Sequence, residues 1–200
     1  AFFRRAFEQV YVNATEHTRI VYAGHYAGLC YTTDGRTHQC TGDIAMMRSI
    51  PGMKVLYPAF EAEIGPMLEW YRSSAVRNPL YIRLHRTPAA EPTLDCAVTF
   101  EFGHGIPVRV RGAGVAVLTS GPHCVSACAR ASDALQQEGT APDLYAVSTL
   151  RGLDAAFVTA LLHHAVTGET FSTRSPDGLY RHFQLTVDAL LVREINELAR

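Results

Sequence analysis

The sequence lacks several of the features from which a function is most easily inferred. Its 200 residues contain no apolar run near the roughly 18 residues that a membrane-spanning helix requires. Its 18 Lys and Arg are balanced by 19 Asp and Glu, which leaves a net charge of −1. A chain without a basic field has no general attraction for nucleic acid or for an anionic membrane. We therefore expect a protein that binds neither of them.

The cysteines do not form a recognisable framework. There are five of them, at Cys30, Cys40, Cys96, Cys124 and Cys128. An odd number at scattered positions argues against a disulfide scaffold and for a reducing compartment. Cys124 and Cys128 are spaced as on one helix face, but no second pair of ligands stands at metal-binding spacing. We therefore expect a cytoplasmic protein and no metal site within this chain.

The composition and the hydrophobic pattern predict an α/β fold. Apolar residues make up 48% and charged residues 18% of the chain, which excludes disorder as its overall state. In the first half, short apolar segments alternate with amphipathic ones, as in parallel α/β sheets. Strands are predicted at 19–24, 54–58 and 79–85, and helices at the N-terminus, at 42–49 and at 59–76.

The alternation stops in the middle of the chain and then resumes. Residues 87–112 are rich in proline and glycine, with short strands predicted at 98–102 and 107–111. Beyond them, strands are predicted at 114–120 and 143–150, and helices at 123–138, 154–165 and 186–199. The pattern predicts two three-layer α/β units with mostly parallel sheets. We divide the chain into a first domain at 1–88, a linker at 89–112 and a second domain at 113–200.

The long polar loop after the first strand is the best candidate for a site. Ligands of parallel α/β proteins bind in the loops that follow the carboxyl ends of strands. This loop holds His25, Asp34 and His38, and histidine is suited to proton transfer at neutral pH. It has no glycine-rich phosphate fingerprint, nucleophile elbow or metal-ligand quartet. From the pattern alone, a solvated loop without catalytic function remains the simpler interpretation.

One continuous segment spans residues 34–63, with the sequence DGRTHQCTGDIAMMRSIPGMKVLYPAFEAE. It resembles the pyrimidine-binding domain of the transketolase-like thiamin diphosphate enzymes. In that family a DG-x-(T/S)-HQ loop precedes a (D/E)-x-A-x-x-R-x-(I/L/V)-P helix, a strand ending in proline and an acidic helix start. The opening AFFRRAFEQV is also similar, as are residues 114–157 and the tail LYRHFQLTVDALL. The resemblance covers nearly the whole chain, and several linked motifs in order are more specific than any one alone.

The resemblance implies roles for two residues in binding the cofactor. Phe2 corresponds to the aromatic side chain that stacks on the aminopyrimidine ring, and Arg5 to a basic residue that faces the active-site channel. The essential glutamate of the family lies upstream of this aromatic segment, and we expect it to lie outside the present chain. The diphosphate and Mg²⁺ site belongs to another domain of the family. Thiamin diphosphate is therefore expected to be shared with a partner that holds the Mg²⁺.

The resemblance also implies roles in binding the substrate. His38 corresponds to a histidine that hydrogen-bonds substrate hydroxyls and assists proton transfer, and His25, more loosely, to a second substrate histidine. Asp34 corresponds to the aspartate that recognises the C2 hydroxyl of the donor. Arg86 corresponds to the arginine that binds the sugar phosphate, a task that suits a planar cation. Arg36 replaces the usual proline or small residue, so the motif does not specify which substrate is used.

The resemblance predicts the C-terminal subunit, or a fragment of it, of a split transketolase-like transferase that is not active alone. Its reaction is expected to be two-carbon ketol transfer between sugar phosphates, in a heteromer with a diphosphate-binding N-terminal subunit. We also expect self-association. A deoxyxylulose-phosphate synthase-like subunit, a 2-oxo acid dehydrogenase beta-like subunit and a non-catalytic pseudo-subunit remain open. The second domain is expected to be shortened, since residues 166–178 stand where the family has a further strand and a glycine-rich turn.

Overall fold

The structure is a computed structural model that describes residues 2–29, 35, 37–94, 97–111 and 115–167, without the side chains of 163–167. Asp34 and the helix predicted at 186–199 lie outside the described residues, as do Cys30 and Cys96. Within the described part of the chain, none of the helices combines the length and the apolar character needed to cross a membrane.

The first half of the chain folds into a three-stranded parallel sheet with the strand order β1-β3-β2. The strands are β1 (Val21–Gly24), β2 (Lys54–Leu56) and β3 (Leu80–Arg83). The accompanying α-helices are α1 (Phe7–Thr15), α2 (Asp43–Ser49) and α3 (Ile64–Ser73). Short 3-10 helices at Phe2–Arg4 and Glu61–Glu63 come before α1 and α3.

Helices pack on both faces of this sheet. The central strand β3 is buried at every position, and successive side chains of a strand point to opposite faces. Tyr81 packs with Val10 of α1 and Met47 of α2, whereas Leu80 and Ile82 pack against α3. The first unit is therefore a three-layer α/β arrangement.

The second half forms a three-stranded sheet with the order β4-β6-β5. Its strands are β4 (Gly105–Arg109), β5 (Ala116–Thr119) and β6 (Asp143–Val147), and its helices are α4 (Pro122–Gln137) and α5 (Ala155–Thr167). β5 runs parallel to β6, and β4 runs antiparallel to it. Leu144 and Ala146 of β6 pack towards α4, and Tyr145 contacts Phe157 of α5.

The α/β fold class with mostly parallel sheets is confirmed, and two local predictions need correction. The strand predicted at 98–102 does not form, because Phe100 and Phe102 pack on Trp70 of α3, with the Phe102 ring stacked at 4.3 Å between centroids. The strand predicted at 107–111 begins earlier, at Gly105. β4 thus lies inside the predicted linker 89–112 and pairs with the second sheet, while the domain division itself stays a prediction.

The end of β2 is joined directly to the segment that follows β6. The amide of Tyr57 donates to the carbonyl of Ser148 at 2.7 Å, and the amide of Leu150 donates to the carbonyl of Val55 at 2.9 Å. These bonds lie between residues far apart in sequence. They hold the carboxyl end of β6 against the first sheet.

Two buried or half-buried side chains add to this junction. Arg151 donates to two main-chain carbonyls at the end of α2, at 2.8 and 3.0 Å. The carboxylate of Glu63 accepts from the amides of Ala59 and Phe60 at 2.7 and 2.9 Å. Burial raises the pKa of Glu63, and the Ser148 hydroxyl and these amides offset part of that rise.

Candidate active site

The loops that follow β1 and β3 are tied together at one edge of the first sheet. The amide of Leu84 donates to the carbonyl of Gly24 at 2.8 Å, and the amide of Ala27 donates to the carbonyl of Leu84 at 3.1 Å. Both bonds use the main chain of Leu84, one through its N–H and the other through its C=O. The two residues between them, His25 and Tyr26, therefore form an outward bulge beside the segment that follows β3.

A second main-chain contact fixes the other end of the described part of this loop. Gly28 and Cys40 exchange hydrogen bonds, at 2.8 Å from the Gly28 amide and 3.2 Å from the Cys40 amide. Gly28 has a φ of +70°, which glycine adopts without the cost paid by other residues. A Cβ there would lie 3.5 Å from Arg83 and 3.7 Å from His85. The backbone thus passes closely over the end of β3.

The structure brings Phe2 and His38 together, although they are far apart in sequence. Their ring centroids are 6.2 Å apart, and the rings meet edge to face at 85°. The Phe2 side chain is 68% exposed, and His38 is half-buried. The hydroxyl of Thr37 lies 3.0 Å from Nδ1 of His38. Arg5 is exposed and follows Phe2 by one turn, its amide donating to the Phe2 carbonyl at 2.9 Å.

The remaining predicted substrate residues lie on the bulge and opposite it. His25 is exposed at the top of the bulge. Arg86 is exposed and donates from Nη1 to the Tyr26 hydroxyl at 3.3 Å. Its guanidinium carbon lies 5.3 Å from the centroid of the Tyr26 ring. Asp34 is outside the described residues, so its predicted role has no structural account here.

A buried charge network lies beneath these loops, and sequence analysis assigned it no role. Arg83 donates from Nε and Nη2 to the two carboxylate oxygens of Asp43, at 2.8 and 3.2 Å. The Tyr81 hydroxyl donates to the same carboxylate at 2.9 Å, and burial together with the Asp43 charge raises the pKa of Tyr81. An arginine inside an otherwise apolar strand requires a buried partner. That requirement is the signal that could have revealed the pair.

Sequence analysis also missed a cluster of aromatic and histidine side chains around His85. His85 hydrogen-bonds through Nε2 with the Tyr57 hydroxyl and meets the His123 ring edge to face at 4.9 Å. Burial, followed by the charges of Arg83 and His123, lowers the pKa of His85 to about 4. The ring of Tyr57 also lies 4.5 Å from the Arg83 guanidinium and occupies the space that a Cβ at Gly121 would fill. His85 is therefore neutral at pH 7.

A cavity of about 260 Å³ opens at this edge of the sheet. Arg83, His85 and Arg86 line one part of it, and Glu61 and Glu91 line another. The Glu91 carboxylate accepts from the amide of Glu61 at 3.1 Å. Across the parts of the chain that the structure describes, no three His, Cys, Asp or Glu side chains come together as metal ligands. The cavity is thus lined by charges of both signs.

The fold and the site together define an α/β protein with a candidate active site at the carboxyl edge of a parallel sheet. Residues 1–90 match the family described as the transketolase pyrimidine binding domain. The chain is 28% identical over 166 residues to the 1-deoxy-D-xylulose-5-phosphate synthase of Magnetococcus marinus, covering 82% of this chain and 26% of that protein. It is also 28% identical over 156 residues to a putative transketolase C-terminal section of Methanocaldococcus jannaschii, covering 74% and 46%.

A solved structure is similar to this chain as well. A split gene transketolase, solved as an inactive beta4 tetramer, superposes with a TM-score of 0.62 and 25% identity, covering 78% of this chain and 49% of that one. Together, the family match over residues 1–90 and these relatives support a transketolase-like member of the thiamin diphosphate enzymes. The chain spans less than half the length of each of these three relatives.

Proposed function

We propose that this chain is the C-terminal subunit of a split transketolase-like enzyme that transfers a two-carbon ketol unit between sugar phosphates. Its similarity to a putative transketolase C-terminal section and to a split gene transketolase supports the proposal. In this proposal a second polypeptide carries the domain that binds the diphosphate and Mg²⁺. The relative solved as a beta4 tetramer also supports self-association of this chain when the partner is missing.

The observation that carries the proposal is the contact between Phe2 and His38. The Phe2 ring is 68% exposed and lies nearly perpendicular to the His38 ring, so it offers exposed aromatic surface suited to stacking with a heteroaromatic ring. In this proposal the Phe2 ring stacks on the aminopyrimidine half of thiamin diphosphate, and His38 lies beside it on the substrate side. When bound, the cofactor supplies the nucleophilic carbon for attack on a ketose carbonyl.

The residues of this chain have distinct tasks in the proposed reaction. His38, which is half-buried, binds a substrate hydroxyl and carries a proton to and from it. Arg86 binds the sugar phosphate, and His25 faces the substrate from the bulge. Asp34 is proposed to bind the C2 hydroxyl of the donor, and Arg5 to face the substrate channel.

A cytoplasmic location is part of this proposal. Cys40, Cys124 and Cys128 are free thiols, which fits a reducing compartment. The experiment below is done with reduced protein for the same reason.

Calorimetry of cofactor binding tests the proposal. We expect the isolated chain not to bind thiamin diphosphate, because the ring and the diphosphate are held by different domains. Mixing the chain with its diphosphate-binding partner is expected to produce tight, Mg²⁺-dependent binding. Phe2→Ala should weaken that binding, and Tyr11→Ala, which removes another exposed aromatic ring on α1, should leave it unchanged. Micromolar binding by the isolated chain would contradict the split site.

A deoxyxylulose-phosphate synthase-like activity is the second candidate. The observation that favours it is the similarity to synthases such as that of Actinobacillus pleuropneumoniae, at 32% identity over 123 residues and 19% of that protein. The two candidates differ in the donor. An assay of the reconstituted complex with a ketose phosphate and, separately, with a 2-oxo acid distinguishes them.

A further inference from the structure

We propose that Tyr26 is a positioning residue that holds the Arg86 guanidinium in place for the phosphate group of the substrate. The inference rests on the proposed function, in which Arg86 binds a sugar phosphate. Two contacts join the pair: a hydrogen bond of 3.3 Å from Nη1 of Arg86 to the Tyr26 hydroxyl oxygen, and a guanidinium carbon 5.3 Å from the ring centroid. Sequence analysis gave Tyr26 no role.

The backbone of Tyr26 is held in an unfavourable conformation. Its φ is +61°, in the left-handed region, and among the described non-glycine residues only His17 shares a positive φ. This region costs free energy for a side chain with a Cβ and persists where the surroundings enforce it. Here the surroundings are the two main-chain bonds to Leu84, at 2.8 and 3.1 Å, which fix the bulge on both sides. Backbone strain of this kind concentrates at functional sites.

The bulge determines which way the tyrosine ring points. Leu84 precedes Arg86 by two residues, so the same main-chain bonds fix the bulge relative to the start of the Arg86 segment. The ring of Tyr26 then lies against a side chain 60 residues away in sequence. A long arginine side chain at an exposed position loses conformational entropy when it binds an anion. A ring and a hydroxyl that already restrain it reduce that loss.

Three variants separate this role from a merely structural one. Tyr26→Phe keeps the ring and removes the hydroxyl. Tyr26→Asn removes the ring but suits a left-handed backbone, so it should still fold. Tyr11→Phe is the matched control, because Tyr11 is an exposed tyrosine on α1 whose ring contacts Phe7.

The steady-state test uses the full chain paired with its diphosphate-binding partner. With a ketose phosphate as donor, we expect Tyr26→Phe to raise KM about two- to threefold and Tyr26→Asn about five- to tenfold, with kcat unchanged. With the same ketose lacking the phosphate, both variants should match the wild type. Tyr11→Phe should match it with both donors. An equal change with the two donors, or no change in KM for Tyr26→Asn, overturns the inference and leaves the proposed function intact.

A second measurement does not depend on turnover. Inorganic phosphate is titrated into the chain alone, and the Nε–H signal of Arg86 is followed by NMR. Tyr26→Asn is expected to move that signal in the free protein and to weaken phosphate binding about five- to tenfold relative to wild type. If the complex proves inactive, the proposed function fails, and this titration alone decides the inference. A wild-type signal and affinity in Tyr26→Asn, or no phosphate binding at Arg86 in the wild type, overturns it.

Discussion

The central strands of the two sheets, β3 and β6, are both almost entirely buried, but their carboxyl ends serve different purposes. After β3 come His85 and Arg86, which line a cavity. After β6 come Ser148 and Thr149, both buried, where Ser148 accepts a main-chain bond from the first sheet. The carboxyl end of a central parallel strand is a natural place for a site. The side chains that follow the strand determine whether its end becomes a binding site or a structural joint, here the junction between the segment after β6 and the end of β2.

The joint after β6 is made of two small polar residues that bond to the main chain of other segments. The Thr149 hydroxyl accepts from the Gly103 amide at 3.0 Å, and the Ser148 carbonyl accepts from Tyr57 at 2.7 Å. The end of β3 instead carries long cationic and aromatic side chains above a buried ion pair. Such a region offers charged groups to a ligand, whereas Ser148 and Thr149 carry no charge. Four experiments test this contrast, beginning with the largest expected effect.

The first prediction is that His38→Ala affects turnover and not folding. A lost proton-transfer group is typically worth about two to four orders of magnitude in rate, so turnover of the reconstituted complex should fall by that factor. Cofactor affinity and the free energy of unfolding should stay close to the wild-type values. Steady-state kinetics and calorimetry measure these quantities. If His38→Ala does not change the turnover of an active complex, this loop is a solvated connection without a catalytic role.

The second prediction is that Asp43→Ala destabilises the whole end of β3. It leaves the buried Arg83 guanidinium without its carboxylate and the Tyr81 hydroxyl without its acceptor. Removing one partner of a buried pair costs about 3–5 kcal/mol, and denaturant unfolding should show this loss. The control is Glu69→Ala, which breaks an exposed pair with Arg72 and should cause no measurable change. Equal stabilities for the two variants would contradict a structural role for the buried pair.

The third prediction is that Arg151→Ala weakens the joint and leaves the site intact. Arg151 donates to the carbonyls of Arg48 and Ile50 at 3.0 and 2.8 Å, and hydrogen bonds from a charged group contribute about 1.5–3 kcal/mol. The free energy of unfolding should decrease by an amount within that range, and the amide hydrogens of Tyr57 and Leu150 should exchange with solvent faster. Arg130→Ala, which removes an exposed helical arginine bonded to a neighbouring serine, serves as the control. Unchanged exchange at these amides would remove Arg151 from the joint.

The fourth prediction concerns the pH dependence of stability. Burial and nearby charges lower the pKa of His85 from 6.5 to about 4. Above pH 6.5 the imidazole is neutral in both the folded and the unfolded chain. Between pH 6.5 and 4 the unfolded chain binds a proton that the folded chain does not, so stability falls as the pH falls.

The corresponding measurement is the free energy of unfolding from pH 4 to 8 for the wild type and for His85→Gln. The glutamine side chain can still accept a hydrogen bond from Tyr57, so the variant should fold. As the pH falls from 6.5 to 4, the wild type should lose stability relative to the variant, since only the wild type contains the His85 imidazole. Other groups, such as Glu63, titrate in both proteins and cancel. Parallel pH profiles would mean that His85 is not held neutral by the fold.

Much of the fold could be predicted because local pattern and tertiary structure agree. The apolar segment at 79–85 contains β3 at Leu80–Arg83, and the amphipathic segment at 59–76 contains α3 at Ile64–Ser73. The strand predicted at 98–102 was wrong because alternating aromatic residues are compatible both with a strand and with packing on a helix. Phe100 and Phe102 found their apolar contacts on Trp70 rather than in a sheet, which is packing overriding propensity.

Residues of the candidate site could be named from the sequence only where they belong to a motif, and their roles stay predictions. Phe2 and His38 were named from linked motifs, and the structure places their rings 6.2 Å apart. The contact of Tyr26 with Arg86 spans 60 residues and depends on a left-handed bend. Single-residue patterns contain no information about such a bend. The Asp43 pair was accessible in principle, because a charged residue in a fully buried strand demands a partner.

The two hydrogen bonds of Leu84 have a consequence for how this site can change over evolution. They use only the main-chain N–H and C=O of that residue, so any amino acid with a main-chain N–H can supply them. The Leu84 side chain packs against the apolar cluster beside α3, so another apolar residue of similar size can replace it without moving His25 or Tyr26, whereas proline, which has no N–H, would remove the first bond. A comparison of side-chain identities would record only an apolar position at 84, although its backbone sets the geometry of both loops.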